Sequence, residues 1–388
     1  MQNQIPKNWQ KVKLGEKVDI TSSKRIFAHE YLKSGVPFYR GKEIIEKFNG
    51  NEVSTDLFIS PQKFKDIESR FGVPQAGDML LTSVGTLGIP YLVGKDEKFY
   101  FKDGNLTWFR KFKGLDNRFL YLWIQSPLGK GQLIKHIIGS SQQALTIDGL
   151  KKIEIDLPPI NIQNQISSVL SAFDDKIEVN NKIAKTLEEM AQVIFKEWFV
   201  NFKFPGYEEA EFIDSELGKI PKDWKILKFE EYARLEYGKA LQEEKRIKGD
   251  ILVYGSSGLV GTHTEKLCEG PGIVVGRKGN VGSIFWVNNN FYPIDTTFYV
   301  KTNKSLYYIY FVLKNMRFHT GDSAVPGLNR ESVHSQEIVI PDNRIIDQFD
   351  LMIKPIYEKL NNLQEENQKL AALRDLLLPK LMRGEIRV

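Results

Sequence analysis

The sequence has almost no cysteine and no long apolar run. Cys268 is the only cysteine among 388 residues, so no internal disulfide can form, and a lone thiol is typical of a reducing compartment. No stretch approaches the roughly 18 apolar residues that a membrane-spanning helix needs. Residues 1–9 are polar and contain Pro6, unlike the apolar centre of a signal peptide. We therefore expect a cytoplasmic protein without a membrane segment.

Sequence signatures of common active sites are also missing. There is no phosphate-binding loop, and residues 276–282, GRKGNVG, do not have the dinucleotide-binding spacing. The five histidines are never three or four residues apart, which argues against a zinc site. Residues 156–160, DLPPI, place Leu157 where adenine methyltransferases need a polar residue before the two prolines. We expect no catalytic residue and no metal site.

Charge is distributed unevenly along the chain. Residues 1–158 contain 24 Lys and Arg against 17 Asp and Glu, and residues 219–341 contain 17 against 13. Residues 159–218 contain only 5 against 11. Two basic segments separated by an acidic one suggest two contacts with one polyanion, although ordinary solvated surfaces would give the same pattern.

An internal duplication organises the chain. Residues 5–9 (IPKNW) return as residues 220–224 (IPKDW), and the glycines Gly85 and Gly88 return as Gly279 and Gly282. Residues 139–146 correspond to residues 321–329, and the strand-like residues 153–158 correspond to residues 336–341. The two copies share a plan but differ in loop length and in most side chains. Such a duplication can recognise two different targets, and plain divergence would also produce it.

Within each copy the pattern is mixed α/β with a bias toward strands. Short apolar runs bounded by Gly, Pro and Asn predict strands at residues 78–84, 89–93, 272–275, 283–287 and 295–300. Residues 118–125 and 304–314 each predict a short buried helix.

A long amphipathic helix follows each copy. Apolar residues alternate spacings of four and three, which is the seam of a coiled coil. Residues 158–159 (PP) favour the start of the first helix and residues 205–206 (PG) favour a stop beyond it. The seam residues are Ile166, Leu170, Phe173, Ile177, Asn180, Ala184, Leu187, Ala191, Ile194 and Trp198, then Phe349, Ile353, Ile356, Leu360, Leu363, Asn367, Leu370, Arg374, Leu377 and Leu381.

Two asparagines interrupt this seam. Asn367 corresponds by the repeat to position 184, so it lies one turn from Asn180 in a parallel pair. In an antiparallel pair related by a pseudo-twofold axis near position 182, the two side chains meet. We therefore predict antiparallel helices with Asn180 and Asn367 fixing their register, the attested role of a buried asparagine in coiled coils.

These patterns predict five segments. Two globular mixed α/β domains, residues 1–158 and residues 219–341, are separated by a long helix at residues 159–204 and a linker at residues 205–218. A second long helix occupies residues 342–388. The predicted fold is thus an internal pseudo-twofold repeat, with the two helices forming an antiparallel coiled coil.

The order of these segments resembles the specificity subunit of type I restriction-modification systems. The resemblance covers the whole chain and is carried by the IPKNW and IPKDW openings and by residues 157–166 (LPPINIQNQI), 173–177 (FDDKI), 187–191 (LEEMA) and 194–199 (IFKEWF). The second repeat departs from the family pattern at residues 341–344 (PDNR), which lack the Pro-Pro pair. The sequence therefore does not fix the start of the second helix.

The resemblance implies a non-catalytic DNA-recognition subunit. Each globular domain would be a target recognition domain reading one half of an interrupted DNA site, and the helices would hold the two apart and dock two modification (methyltransferase) subunits. Restriction (translocase and nuclease) subunits would join that complex. No cofactor is expected in this chain, because S-adenosylmethionine would bind the methyltransferase subunit.

Candidate base-reading residues lie on polar loops beside glycines. Arg, Lys, Asn and Gln have the geometry to pair with guanine and adenine edges, and glycine permits close approach of the backbone. The candidates in the first copy are Tyr39, Arg40, Lys42, Ser83, Thr86, Gln142 and Gln143, and those in the second are Tyr254, Ser256, Ser257, Arg277, Lys278, Asn280, Asn329 and Arg330. Each could equally be a phosphate contact or a solubilising loop residue.

Two other classes of function remain open at this stage. A single-chain DNA methyltransferase or nuclease would need motifs that the sequence lacks, and failure to bind S-adenosylmethionine would exclude it. A duplicated protein-binding scaffold would fit the repeats equally well, and a DNA pull-down separates it from a DNA-recognition subunit. The half-site sequences themselves cannot be read from the sequence.

Overall fold

The computed structural model describes residues 6–140, 142–318 and 327–388. The chain forms two compact units. Unit 1 comprises Met1–Glu178 and Asn367–Val388, and unit 2 comprises Val179–Glu366. Both dividing points fall inside the long helices, so each unit contains a part of each helix.

Unit 1 begins with a mixed α/β segment. Its strands are β1 Gln10–Lys13, β2 Asp19–Thr21, β3 Val36–Tyr39, β4 Phe58–Ile59, β5 Met79–Thr82, β6 Pro90–Leu92, β7 Tyr100–Phe101, β8 Leu106–Arg110, β9 Ile137–Ile138, β10 Ala144–Leu145 and β11 Glu154–Leu157. Its shorter helices are α1 Leu14–Lys17, α2 Gly41–Phe48, α3 Pro61–Phe71, α4 Asn117–Gln125, α5 Pro127–Lys135 and α6 Ile147–Lys152. The long helix α7, Ile160–Phe195, follows and ends in a π-helical turn, Lys196–Val200.

Unit 2 repeats this plan. Its strands are β12 Phe212–Ser215, β13 Gly218–Pro221, β14 Lys225–Lys228, β15 Arg234–Tyr237, β16 Ile251–Gly255, β17 Gly258–His263, β18 Gly272–Gly276, β19 Ile284–Val287, β20 Phe291–Pro293, β21 Thr297–Lys301 and β22 Glu337–Ile340. Its shorter helices are α8 Phe229–Tyr232, α9 Leu306–Asn315 and α10 Arg330–His334, and the long helix α11 is Asn343–Met382.

The sheets of the two units have the same strand order, which confirms the duplication. A four-stranded antiparallel sheet has the order β2-β8-β5-β6 in unit 1 and β15-β21-β18-β19 in unit 2. A three-stranded sheet, β4-β3-β7 or β17-β16-β20, contains one parallel pair in each unit. The first and last strands of each copy pair in equivalent register, with Val12 opposite Ile155 and Leu227 opposite Ile338.

Each long helix starts at a proline-marked boundary. Helix α7 begins at Ile160, directly after the Pro-Pro pair. Helix α11 begins at Asn343, where the second repeat has only Pro341. Its first turn is closed by Asp342, whose Oδ1 accepts the Ile345 N–H at 3.1 Å. An aspartate N-cap thus replaces the second proline.

The helices pair antiparallel inside each unit. In unit 1, Arg374 Nη1 lies 2.5 Å from Asp174 Oδ1, and one buried cluster joins Ile166 and Leu170 to the end of α11. In unit 2, Asn180 contacts Glu366 at 3.0 Å, whereas Phe195 packs on Phe349 with ring centroids 6.1 Å apart. In these contacts, residues with higher numbers in α7 meet residues with lower numbers in α11. This confirms the predicted antiparallel direction. All twenty predicted seam positions are buried or partly buried.

Residues 205–218, predicted as a linker, are largely exposed. The structure has a strand there, β12, which forms an antiparallel hairpin with β13. Hairpin residue Phe212 packs edge-on against Phe202, and Trp224 is covered by Phe199 and Phe204. No residue of this segment is buried, and its role as the linker between the two domains stays a prediction.

Candidate nucleic-acid interface

A glycine-rich turn has the same geometry in both units. The turn after β5 has Gly85 and Gly88 at φ 79° and 78°, and the turn after β18 has Gly279 and Gly282 at φ 79° and 77°. The Gly88 N–H donates to the Thr82 carbonyl at 2.8 Å, and the Gly282 N–H donates to the Gly276 carbonyl at 2.9 Å. Positive φ is costly for other residues, so glycine is required to keep this shape.

A second loop joins each turn through the backbone. In unit 1, Val84 bridges Ala144, and the Leu145 N–H donates to the Ser83 carbonyl at 3.0 Å. In unit 2, Lys278 bridges Gly327, and the Leu328 N–H donates to the Arg277 carbonyl at 2.8 Å. In each unit the structure therefore brings together two loops that lie about 50 to 60 residues apart in sequence, and candidate base-reading residues lie on both loops.

Three of the candidates in unit 1 line one cavity. Arg40, Lys42 and Thr86 surround a space of about 410 Å³ together with Asn105. Thr86 is exposed at the tip of the turn, and the Lys42 side chain is 57% exposed. Gln142 and Gln143 are exposed just before β10. This loop cluster presents cationic and amide groups that can meet phosphates and base edges.

Arg40 is positioned by two carboxylates. Its Nη2 lies 2.7 Å from Glu43 Oε1 and 2.8 Å from Asp56 Oδ1. The hydrogen bond that the Arg40 guanidinium donates to Glu43 raises the pKa of Arg40, and this outweighs the lowering of the pKa by partial desolvation. Glu43 itself is fully buried at the start of α2 and also accepts the Arg40 N–H. The guanidinium is therefore held in one orientation at the cavity wall.

Two candidates in unit 1 have internal side chains. Tyr39 is 8% exposed and stacks on Phe99 at 4.4 Å, and burial raises its pKa to about 12. Ser83 is 3% exposed, and its Oγ lies 2.6 Å from Thr107 Oγ1. Both support the loops from behind, so we leave their side chains out of the interface.

The interface of unit 2 centres on two arginines and a tyrosine. Arg277 and Arg330 lie over the ring of Tyr237, at 5.3 Å and 5.1 Å from its centroid. The Arg277 Nη2 donates to the Asp295 carbonyl at 2.6 Å, and the Arg330 Nη2 lies 2.9 Å from Glu331 Oε1. Tyr237 is 47% exposed. Two stacked guanidinium groups on an exposed ring form a cationic surface suited to phosphate or guanine.

The other candidates of unit 2 divide into surface and supporting residues. Lys278 and Asn280 are exposed on the glycine turn, and Ser256 and Ser257 form the adjacent hairpin turn between β16 and β17. Tyr254 packs between Phe285 and Phe291, and burial raises its pKa. Asn329 is the N-cap of α10, because its Oδ1 accepts the Glu331 N–H at 2.8 Å. Tyr254 and Asn329 therefore make structural contacts, and their predicted contacts with bases stay predictions.

Sequence reasoning missed two exposed aromatic residues in these surfaces. Tyr237 lies between the two arginines, and Phe27 is 55% exposed beside the unit 1 loops. Tyr237 is the last residue of β15, whereas Phe27 lies in the loop after β2. An exposed aromatic residue near basic side chains is the signal that could have identified them.

Asn180 is fully buried, and its Nδ2 donates to Glu366 Oε2 at 3.0 Å within unit 2. The predicted pairing of Asn180 with Asn367 stays a prediction.

The described residues contain neither a metal-binding group nor a membrane helix. No three His, Cys, Asp or Glu side chains in that part of the chain lie close enough to hold a metal ion. None of its helices is long and apolar enough to span a bilayer. Burial raises the pKa of the Cys268 thiol to about 12, which makes it a poor nucleophile.

The chain is thus an internally duplicated α/β protein, in which each copy has a matching loop cluster and is followed by a long helix. The family profile described as the type I restriction modification DNA specificity domain matches residues 6–189 and 221–373. The chain belongs to this family and is a type I restriction-modification specificity subunit with two DNA target recognition domains.

Relatives and one solved structure agree with this assignment. The MjaIX specificity subunit of Methanocaldococcus jannaschii is 26% identical over 422 residues, covering 99% of this chain and 95% of the relative. The HindI specificity subunit of Haemophilus influenzae is 22% identical, covering 62% of this chain and 71% of the relative. The fold matches the S subunit of M. genitalium with a TM-score of 0.60 at 17% identity, covering 98% and 97% of the two chains.

Proposed function

We propose that each unit reads one half of an interrupted target in double-stranded DNA, unit 1 through the loops around Thr86 and unit 2 through the loops around Asn280. The observation that carries the proposal is the repeated loop cluster, in which the same backbone frame presents different side chains. Cationic groups supply sequence-independent affinity, and the polar turn residues discriminate between bases. The chain supplies recognition, and the chemistry belongs to its partner subunits.

We also propose that α7 and α11 dock two modification (methyltransferase) subunits, which bind S-adenosylmethionine, and that restriction subunits join this complex. Exposed apolar side chains support a docking role for these helices, because Val179 is 48%, Leu351 74% and Leu376 56% exposed. Calorimetry should detect S-adenosylmethionine binding by the complex and none by this chain alone. Binding by the isolated chain would contradict this division of roles.

Methylation mapping tests the central proposal. The chain is co-expressed with its neighbouring methyltransferase subunit in a host lacking both, and N6-methyladenine is mapped across the genome by single-molecule sequencing. We expect two short specific sequences around a fixed unread gap, absent when this chain is omitted. A complex that forms without producing such a motif would contradict the proposal.

A matched pair of variants assigns each half-site to a unit. Thr86 and Asn280 occupy equivalent places on the two glycine turns. Thr86→Ala should relax the motif in one half only, and Asn280→Ala in the other, each by about 1–3 kcal/mol of discrimination at the base it reads. Lys65→Gln, on α3 outside the cavity that Arg40, Lys42 and Thr86 line, serves as the control. Relaxation of the same half by both variants would refute one half per unit.

The helices are expected to set the length of the gap. Inserting four residues into α7 between Glu178 and Val179, and four into α11 between Glu366 and Asn367, adds about 6 Å to each helix. The gap should widen by about one or two base pairs at ~3.4 Å each. The mapped motif of the double insertion measures this directly, and an unchanged gap would show that the helices do not determine it.

A further inference from the structure

An aromatic side chain is held on the outside of unit 1. Phe27 precedes a single 3₁₀ turn, Ala28–Glu30, and is 55% exposed. Its N–H donates to Glu30 Oε2 at 2.9 Å, and Glu30 is in turn held by Lys63 Nζ at 2.6 Å. The Phe27 ring stacks on the His29 ring at 5.9 Å. The ring is thus positioned at the surface by its own turn.

Phe27 borders a second cavity of unit 1. The cavity, of about 540 Å³, has an apolar side formed by Phe27, Ala28 and Val84, and a polar side that includes the amides of Asn105 and Gln142. It shares Val84 and Asn105 with the cavity that Arg40, Lys42 and Thr86 line. The two cavities therefore form one continuous surface with the proposed base-reading loops.

The two amides are available for a ligand. Within the described residues, neither the Asn105 nor the Gln142 side chain makes a hydrogen bond, whereas the Asn105 carbonyl accepts the Ser83 N–H at 2.8 Å. Arg25 Nε donates to Asp103 Oδ2 at 2.9 Å, so this pair neutralises one part of the rim. The rest of the lining is an apolar side beside two free amides, together with Lys102, a cation of the kind that contacts phosphates.

This combination matches one base pair. In the major groove an A·T pair presents the N7 acceptor and N6 donor of adenine and the 5-methyl group of thymine, and a G·C pair has no methyl group. We propose that this cavity reads an A·T pair in the half-site of unit 1. Phe27 contacts the thymine 5-methyl group, and an amide of Gln142 or Asn105 pairs with adenine. The proposal rests on the proposed function and assigns a contact within it.

The counterpart position in unit 2 differs in chemistry. Gln242 precedes the 3₁₀ turn Glu243–Lys245 as Phe27 precedes its own turn, and it is also exposed. Glutamine offers an amide and no aromatic surface at this place. Removal of a thymine methyl group from the half-site of unit 1 should therefore weaken binding, and this loss should depend on Phe27. Any loss of affinity caused by the same change in the half-site of unit 2 should not depend on Phe27.

Uracil substitution tests the contact in the full complex. Once the half-sites are mapped, each thymine is replaced by uracil, one at a time, in a duplex carrying the target, and affinity is measured. One uracil in the half-site of unit 1 should weaken binding about fourfold, the effect of one buried methyl-sized group. Phe27→Ala should bind the thymine and uracil duplexes equally, and Phe27→Leu should keep part of the preference. For uracil in the half-site of unit 2, the ratio of the affinities for the thymine and uracil duplexes should be the same in the wild-type complex and in Phe27→Ala.

Two outcomes would overturn the inference. If the wild-type complex binds every uracil duplex of the unit 1 half as tightly as the thymine duplex, no methyl group is read there, whatever the variants do. If Phe27→Ala lowers affinity for thymine and uracil duplexes by the same factor, Phe27 has a structural or phosphate-side role. Neither outcome affects the proposed function, which the methylation map and the Thr86 and Asn280 variants test separately.

Discussion

The glycine turns of the two units present different side chains on one backbone. Unit 1 carries Thr86 between Gly85 and Gly88, and unit 2 carries Asn280 between Gly279 and Gly282, with φ values that agree within 2°. The glycines and backbone hydrogen bonds fix the turn, and within the described residues the side chains of Thr86 and Asn280 make no hydrogen bond. A recognition surface built in this way can change its sequence preference without changing its fold.

The helix junctions differ more than the turns. Unit 2 packs Phe195, Phe199 and Phe349 together, with the Phe199 and Phe349 centroids 4.9 Å apart. At the equivalent level, unit 1 has the aliphatic residues Ile166 and Leu170 and the ion pair between Asp174 and Arg374. The two junctions therefore depend on different interactions, aromatic packing in one and aliphatic packing with a partly exposed ion pair in the other.

The largest expected effect comes from removing one ring at the unit 2 junction. Phe349 is fully buried, so Phe349→Ala should lower the free energy of unfolding by about 3–5 kcal/mol. Hydrogen exchange should locate the loss in unit 2, and the unit 1 half of the methylated motif should persist longest as temperature rises.

The control for that variant lies two residues along the same helix. Leu351 is 74% exposed, and Leu351→Ala should change the free energy of unfolding by less than about 0.5 kcal/mol. This comparison uses the isolated chain, because Leu351 belongs to the proposed docking surface. If Phe349→Ala lowers the protection from hydrogen exchange equally in both units, the two units unfold together. The proposed difference between the two helix junctions would then be wrong.

A smaller effect is expected from matched alanines on the two turns. Gly85→Ala and Gly279→Ala should each cost about 1–2 kcal/mol, because both glycines have φ of 79°. A Cβ at Gly279 would also lie 3.1 Å from Ser256 Oγ, whereas one at Gly85 meets nothing within 4 Å. We expect the larger loss in unit 2, measured by thermal unfolding, with each variant weakening only its own half-site.

Gly131 provides the opposite control. It lies inside α5 with open space around its Cα, so Gly131→Ala should stabilise the protein by about 0.5–1 kcal/mol. A destabilisation of similar size in all three variants would show that positive φ is not the cause of the loss at Gly85 and Gly279.

Patterns with a fixed period were predictable from the sequence. The repeated sequence motifs predicted both copies and the glycines of the two turns. The spacing of apolar residues by four and three positions predicted all twenty seam positions, because a helix must bury one face wherever it packs. The direction of the helices followed from the positions of Asn180 and Asn367. The hairpin of β12 and β13 was not predictable, because its few apolar residues are separated by acidic ones.

Side-chain direction in the loops was beyond the sequence. Tyr39 ends β3 and Ser83 directly follows β5, and contacts with Phe99 and Thr107, which are distant in sequence, hold both side chains inside. Asn329 was the exception: an asparagine before a helical segment is an N-cap signal, and its counterpart Thr146 caps α6 in the same way. Phe27 was missed because its exposure depends on a turn that only the fold defines.

The smallest expected effect is a pH dependence of stability that unit 2 has and unit 1 lacks. In unit 2 the Leu235 N–H donates to His334 Nε2 at 2.9 Å, and His334 is 6% exposed. Burial lowers the pKa of His334 below its usual value of 6.5, with Glu331 opposing and Arg330 adding to the shift. The counterpart of His334 in unit 1 is Lys151, which is exposed.

Because the folded pKa is lowered, the native state binds fewer protons than the unfolded chain, and the stability of unit 2 should fall as pH drops below about 6.5. Protonation also removes the acceptor of the Leu235 N–H, a bond worth about 0.5–1.5 kcal/mol. Exchange of the Leu235 amide, corrected for its intrinsic rate, should therefore accelerate relative to the Ile20 amide at the equivalent position of unit 1. His334→Gln should abolish this pH dependence while leaving the exchange of Ile20 unchanged. If the variant keeps the same pH dependence, another group of unit 2 titrates, and the difference between the units does not come from His334.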